Sequence, residues 1–285
     1  MEQNIRQAVV VYSSPARATR HVAKTISASL KEEGWAQKVV DLEDKDRDFS
    51  LSSIKDSLQK WHCLWIGSPV YVWHSVPAIT QFISRLPNGK GSYAVPFVTW
   101  GTVSSGVALY ELGKMLEEKG YTLLGAAKIL AIHSVMMIWS DQPFGKGHPD
   151  TRDDAMIRVL VKAVTANLHQ SKTTIPLPSE ELQYQSLDFQ DKAKNMNLTV
   201  AKDMLPTIEL NTALCSQCDL CAQKCPVQAI QIDPFPQLGP DCILCYNCVR
   251  LCPENALEAD FSSIDGHIRQ TKEQLSERPL SQIFI

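Results

Sequence analysis

The stretch from Cys215 to Pro253 most constrains what this chain can be. It reads CSQCDLCAQKCP, then a spacer, then CILCYNCVRLCP. Each half is C-x2-C-x2-C-x3-C-P, and the second repeats the first 27 residues on. The correspondence runs past the cysteines: Ala229 matches Ala256, Ile230 matches Leu257, and Asp233 matches Asp260. Three thiolates at two-residue intervals can wrap one corner of an iron–sulfur cube, because a tight turn points successive sulfurs inward. A fourth thiolate has to come from elsewhere, since so short a loop cannot close over the cube. Pro226 and Pro253 stop the backbone from continuing as helix. Zinc sites use paired C-x2-C units and need no third cysteine at the same interval. Eight disulfide cysteines would suit a short secreted chain, whereas this one has 285 residues and opens MEQNIRQ, without a basic and apolar leader. The pattern therefore reads as two [4Fe–4S] clusters in a reducing, cytoplasmic setting.

Over roughly residues 206–260 the segment resembles the two-cluster bacterial ferredoxins. The resemblance implies that the fourth cysteine of each run serves the other cluster. Cys215, Cys218, Cys221 and Cys252 would then hold one cube, and Cys242, Cys245, Cys248 and Cys225 the other. The ninth cysteine, Cys63, lies in HCLWIG and reads as a small buried hydrophobe. Residues 206–260 carry two basic and seven acidic residues, although the whole chain is only −3. An acidic face of this kind steers toward a basic redox partner protein, and the overall balance argues against nucleic acid. The longest apolar window, 121–139, contains Lys128 and His133 and fits a buried strand and loop better than a membrane span.

Ahead of this segment the pattern changes. Short β-branched runs at 6–12, 36–42, 62–68, 93–100 and 121–132 alternate with helical spacings, as in Val22, Ala23, Ile26 and Leu30, or Ile79, Phe82, Ile83 and Leu86. A further helix is expected at 50–60. Five strands alternating with five helices give an α/β doubly wound parallel sheet over 1–170. Residues 171–205 read as a linker, extended through Pro176 and Pro178, whose scattered apolar residues pack along the sheet domain. The tail, 261–285, holds a short helix near 264–276 and ends IFI, which suits docking on a core or on a second copy.

In a doubly wound sheet, ligands sit beyond the carboxyl ends of the strands at the switch point. The loops there are SSPARAT (13–19), SPVYVWHS (68–75) and TWGTVSSG (99–106). With the element order, they resemble the flavodoxin family, and chains joining such a domain to a C-terminal two-cluster ferredoxin are a known family that this chain resembles. The resemblance implies an FMN phosphate in the first loop and its ring between the other two. Ser13, Ser14 and Thr19 offer hydroxyls, while Ala16, Arg17 and Ala18 lead into a helix with free amides and a positive dipole end. Tyr71, Trp73 and Trp100 offer flat faces beside Pro69, Val70 and Thr102. Gly101 and Gly106 allow close approach of a ligand. The first loop departs from the family's S/T-G-T-G-N-T form: it has no glycine, and Arg17 stands in a glycine place. That arginine grips the phosphate, fills the space of the flavin, or is a surface arginine with neither role. His74 is a candidate proton donor, though a lone histidine is more often structural. The insertion 132–150, with His133 and His148, is placed to cover the flavin edge or admit a partner.

These features imply a flavin-dependent iron–sulfur oxidoreductase, or its electron-delivering component, with no catalytic residue assigned. A small-molecule acceptor and the oligomeric state stay open. The other reading is a flavin-free ferredoxin whose sheet domain docks on a partner enzyme.

Overall fold

The computed structural model describes residues 6–44, 63–89, 91–170 and 174–285. The helix expected at 50–60 lies outside the described residues. The first strand, β1 (Gln7–Tyr12), shows why the sheet is covered on both sides. Val9 and Val11 enter one apolar cluster with Ile79, Ile83 and Leu112, while Ala8, Val10 and Tyr12 enter another with Val22, Ile26 and Val161. A strand buried on both faces has to be apolar throughout, which is why QAVVVY shows no alternation.

β1 lies between β2 (Ala36–Asp41) and β3 (Cys63–Tyr71), both parallel to it. β3 pairs parallel with β5 (Tyr93–Trp100), and β5 with β7 (Ala126–Leu130). Two short strands, β4 (His74–Ser75) and β6 (Thr122–Leu123), flank this path. The fifth strand expected over 121–132 is thus two pieces. The chain bends at Gly125, where a Cβ would meet Leu160 and the Phe284 carbonyl. The five long strands take the flavodoxin order, with the reversal between β1 and β3. Helices α1 (Ala18–Glu32) and α4 (Thr151–Gln170) cover one face; α2 (Pro77–Arg85) and α3 (Ala108–Glu118) cover the other.

From Thr174 onward the linker buries Leu177, Leu182, Phe189, Ala193 and Ala201, while Ile175 and Leu187 are exposed. It contains α5 (Leu187–Asn195), capped by Ser186 accepting from the Phe189 amide, and α6 (Leu198–Met204), capped by Asn197. Next comes a small α+β unit. It contains the two-residue strand β8 (Glu209–Leu210), the one-turn helices α7 (Leu220–Gln223) and α8 (Asn247–Arg250), the hairpin β9 (Ile230–Ile232) and β10 (Pro236–Leu238), and β11 (Leu257–Glu258) paired with β8. The tail then forms α9 (Ser262–Leu275) and returns to the first sheet as β12 (Gln282–Phe284), antiparallel to β7. The terminal IFI therefore supplies a sixth strand to its own sheet domain. Among the described residues, no helix is long and apolar enough to cross a membrane.

Candidate functional site

The two cysteine runs fold as copies of one loop. Gln217 and Leu244, Asp219 and Tyr246, and Gln228 and Asn255 each stand 27 residues apart, and all six have left-handed backbone, with φ between 50° and 58°. Each run closes with an amide donating to its last sulfur: Ala229 to Cys225 Sγ and Ala256 to Cys252 Sγ, both at 3.2 Å. The loops bring the eight cysteines together as two small cavities. One is lined by Cys215, Cys218, Cys221 and Cys252, and the other by Cys225, Cys242, Cys245 and Cys248. The first opens to solvent at the exposed Cys218; in the second, Cys225 and Cys248 are buried. Burial, with the neighbouring cysteines adding to it, pushes the Cys245 and Cys248 thiols up to about 12. A cation of high charge is needed to hold such sulfurs as thiolates, so a metal centre is the group this donor set fits.

A third cavity, of about 270 Å³, lies at the carboxyl ends of β1, β3 and β5. Ser14, Ala16, Ala18 and Thr19 line it from the first loop, Pro69, Val70, Tyr71 and Trp73 from the second, and Trp100 and Gly101 from the third. Of the other residues singled out in the sequence, Ser13, Arg17, Thr102 and Gly106 do not line it, and Arg17 is exposed. The opposite wall was not foreseen. Ile243, Leu244 and Tyr246 come from the loop that carries Cys242 and Cys245, and Met196, Met204 and Leu205 come from the linker. Ile264, His267, Ile268 and Thr271 come from α9, spaced i, i+3, i+4 and i+7, so one face of the tail helix closes the cavity. That spacing was present in the sequence, but nothing in it said what the stripe faced.

In the first loop Arg17 adopts the left-handed conformation (φ 70°) that a glycine would supply, with its side chain exposed. Ser14 Oγ caps the helix by accepting from the Arg20 amide at 2.9 Å. Thr19 and Thr99 join hydroxyls at 2.8 Å. Glu43, a residue the sequence reading passed over, accepts from the Ser13 hydroxyl at 2.8 Å and from the Ser14 amide. Burial raises its carboxyl to about 7 from 4.5, with the nearby Asp41 adding and the Ser13 bond opposing. A raised acid stabilises the fold while it is neutral. That contribution is complete below pH 4.5 and is lost as pH rises through about 7. Stability of the wild type should therefore fall across this window by up to ~3 kcal/mol relative to Glu43→Gln, measured as denaturation midpoints at stepped pH.

The second loop is also strained: Val72 and Trp73 have φ of 50° and 70°, and Thr102 in the third loop has 71°. Trp73 packs on Phe189 of α5, with ring centroids 4.8 Å apart. Both glycines are required by the protein's own packing, and Gly101 also lines the cavity. A Cβ on Gly106 (φ 61°) would stand 1.9 Å from the Trp73 carbonyl oxygen, and one on Gly101 would stand 2.7 Å from His133 Cα. Gly106→Ala should cost on the order of 2 kcal/mol and displace the Trp73 loop, read as a lower denaturation midpoint. Trp100 touches the cavity, but it is 2% exposed and its Nε1 donates to the Leu280 carbonyl at 2.8 Å, which makes it an anchor for the tail. His74 is not a free proton donor: its two ring nitrogens meet Glu111 Oε1 at 2.8 Å and the Ala193 carbonyl at 3.0 Å. His133 lines the cavity with Nδ1 accepting from the Met136 amide at 3.4 Å, and burial pushes its pKa down to about 4, so the ring is neutral. His148 is tied to Asp153 at 2.6 Å, and Ser281 also donates to Asp153, so this cluster fastens the tail.

The insertion at 132–150 packs against the chain's own C-terminal half. Trp139 stacks on Phe261 at 4.4 Å and donates to Asp265 at 2.9 Å. Val135 and Ile138 pack into the apolar cluster of the cysteine unit. Across the first loop, Asn247 donates to the Pro15 carbonyl at 2.8 Å.

Residues 201–257 match the protein-family model described as a 4Fe-4S dicluster domain. No curated protein sequence matches the chain. Similar solved structures include a rubredoxin:oxygen oxidoreductase from Desulfovibrio gigas, 16% identical with a TM-score of 0.47. That alignment covers 58% of this chain and 36% of the other, so the chain spans little more than a third of that protein. A flavodoxin from the domain Archaea is 17% identical with a TM-score of 0.42, covering 66% of this chain and 99% of its own. The apo form of the NADH:FMN oxidoreductase EmoB is 16% identical with a TM-score of 0.45, covering 63% and 97%.

Proposed function

We propose that this chain, a flavodoxin-like sheet joined to a 4Fe-4S dicluster domain, is an electron-transfer flavoprotein in which an FMN sits against the inner of two [4Fe–4S] clusters. One observation carries the reading: the wall facing the three sheet loops is built from Ile243, Leu244 and Tyr246, interleaved with Cys242 and Cys245. Cys215, Cys218, Cys221 and Cys252 would hold the outer cluster, and Cys225, Cys242, Cys245 and Cys248 the inner. A flavin takes electrons in pairs or singly and a cubane takes them singly, so the two together exchange pair and single transfer.

The chain's own residues do the rest. Donation from the Ala229 and Ala256 amides to sulfur offsets thiolate charge and tunes both centres. The linker and α9 line one side of the cavity, and the Ala18 and Thr19 amides at the start of α1 are left as donors to an anionic group, since the Arg20 amide donates to Ser14 Oγ and the His21 amide to the Arg17 carbonyl. Exposure of Cys218 makes the outer site the place where a redox partner protein docks. Tyr71 lies between the flavin loop and the inner site, where the Cys245 charge helps raise its hydroxyl, already raised by burial.

The flavin-free docking reading draws on a different observation, the occupation of the Ser13 and Ser14 donors by Glu43. An oxygen-free preparation assayed for iron, sulfide and acid-extracted flavin separates the two. About eight irons and one FMN per chain support the proposal. Eight irons with no flavin, even after reconstitution, would leave the docking module. Zinc in place of iron would end both.

A further inference from the structure

We infer that the Tyr71 hydroxyl donates a hydrogen bond to the Cys245 thiolate of the inner cluster, so that a residue of the sheet domain sets the potential of a cluster held by the cysteine loops. This rests on the [4Fe–4S] reading above and is independent of the flavin.

Five buried side-chain polar atoms among the described residues have no hydrogen-bond partner, and of these only the Tyr71 hydroxyl belongs to a residue that lines the large cavity. Leaving a buried hydroxyl unpartnered is costly, so it marks a missing acceptor. The hydroxyl itself is closed off from solvent and from the open space of the cavity. Its acceptor therefore belongs to what packs against the end of β3, and the loop of the second cysteine run packs there. Ile243 is a member of the sheet domain's own apolar core, and Cys245 packs on that core together with Val70 and Tyr71. Leu244 and Tyr246, on either side of Cys245, line the same cavity as Tyr71. Burial keeps the hydroxyl protonated and therefore a donor, and among the charges that act on it Cys245 comes first, ahead of Glu43 and Arg250.

The other candidates nearby are committed or do not reach. Ser134 favours the ionised form of Tyr71 but closes no hydrogen bond with it. Tyr246 donates its own hydroxyl to the Pro206 carbonyl at 2.7 Å, and Glu43 already accepts from Ser13 and Ser14. A thiol sulfur is a weak acceptor and a charged thiolate a much better one, so cluster ligation supplies the partner.

The bond would set the two clusters apart. Cys218 holds the same place in the first run, 27 residues earlier, and is exposed, so water can solvate the outer cluster there. Reduction adds negative charge, which burial disfavours at the inner cluster and a donated hydrogen bond offsets. The repeat gives each cluster an amide donor, from Ala229 and from Ala256; Tyr71 is a donor that the repeat does not supply.

The test is an oxygen-free redox titration of the full chain with its clusters, followed by electron paramagnetic resonance, with iron counted for each protein. The inner cluster is identified as the one missing from Cys225→Ala. In Tyr71→Phe its reduction should become roughly tenfold less favourable, a downward shift of about 59 mV for one electron, with the outer cluster unmoved. Tyr246→Phe and Ser134→Ala should leave both potentials near wild type. An unmoved inner potential in Tyr71→Phe at full iron content would overturn the inference. So would an equal shift in Tyr246→Phe or Ser134→Ala, which would report general polarity rather than this bond, or a shift confined to the flavin, which would give the hydroxyl to that cofactor. If Tyr71→Phe loses iron, Tyr71→Met decides in its place; loss of the inner cluster from both would also overturn the inference and make Tyr71 a structural residue. A wild type without iron would remove the cluster reading itself.

Discussion

Cys225→Ala should bring the iron content from about eight to about four per chain, and the iron lost should be that of the cluster whose other cysteines lie downstream. Local sequence suggests the opposite, since Cys225 is four residues from Cys221 and seventeen from Cys242. The expectation rests on the fold: Cys225 lines the same small cavity as Cys242, Cys245 and Cys248. The Ala229 amide that donates to Cys225 Sγ would lose its acceptor in the same variant. Electron paramagnetic resonance of the reduced protein should show one cluster spectrum where wild type shows two interacting ones. Cys218→Ala should give the complementary loss at the outer site. Loss confined to the 215–221 site in Cys225→Ala would refute the crossed ligation.

The second large effect lies far from the cysteines. Glu277→Ala should destabilise the protein by on the order of 3–5 kcal/mol, because it strands a buried cation. Lys128 is 1% exposed in the middle of β7, and its Nζ lies 2.6 Å from Glu277 Oε1. The same carboxylate accepts from the Ser105 amide at 2.9 Å and from Gln185 Nε2 at 3.0 Å. Burial pulls the Lys128 pKa down, and Glu277 pulls it back. Glu277 joins α9, which closes the cavity, to β12, which completes the sheet. Its loss should release the tail, shift Trp100 fluorescence as the Leu280 contact breaks, and lower the denaturation midpoint. The double replacement Lys128→Met with Glu277→Leu should recover part of the stability, since the apolar pair removes the stranded cation while the Ser105 and Gln185 donors still lose their acceptor. A Glu277→Ala protein within about 1 kcal/mol of wild type would show that the pair does not hold the tail.

Much of this architecture was legible in the sequence because its signals are local. The C-x2-C-x2-C-x3-C-P repeat specifies the same turn twice, down to matched left-handed residues. The β-branched runs and helical spacings mark a parallel sheet, and Leu182 and Phe189 of the linker are buried as expected, whereas Leu187 is exposed. What was not legible depends on contacts between distant segments. Gly101 and Gly106 read as room for a ligand; the fold shows in addition that they make room for His133 and Trp73, which no local signal announced. Trp100 read as a flat face for the flavin; it lines the cavity and also anchors the tail, while His74, a candidate proton donor, is tied to Glu111 and the linker. Glu43 carries no motif, and only the return of β2 beside β1 brings it to Ser13 and Ser14. The stripe of Ile264, His267, Ile268 and Thr271 gave a helix without saying that it roofs the cavity. IFI gave a docking segment without naming β7 as its edge.

The central claim is that the inner cluster and the flavin share one cavity wall. It is tested most directly by the relaxation of the flavin radical in partly reduced, oxygen-free protein, measured by microwave power saturation. In wild type the radical should relax fast and resist saturation, because a paramagnetic cluster lies beside it, and in Cys225→Ala it should saturate easily like an isolated flavin. A radical that saturates at the same power in both proteins would contradict the account.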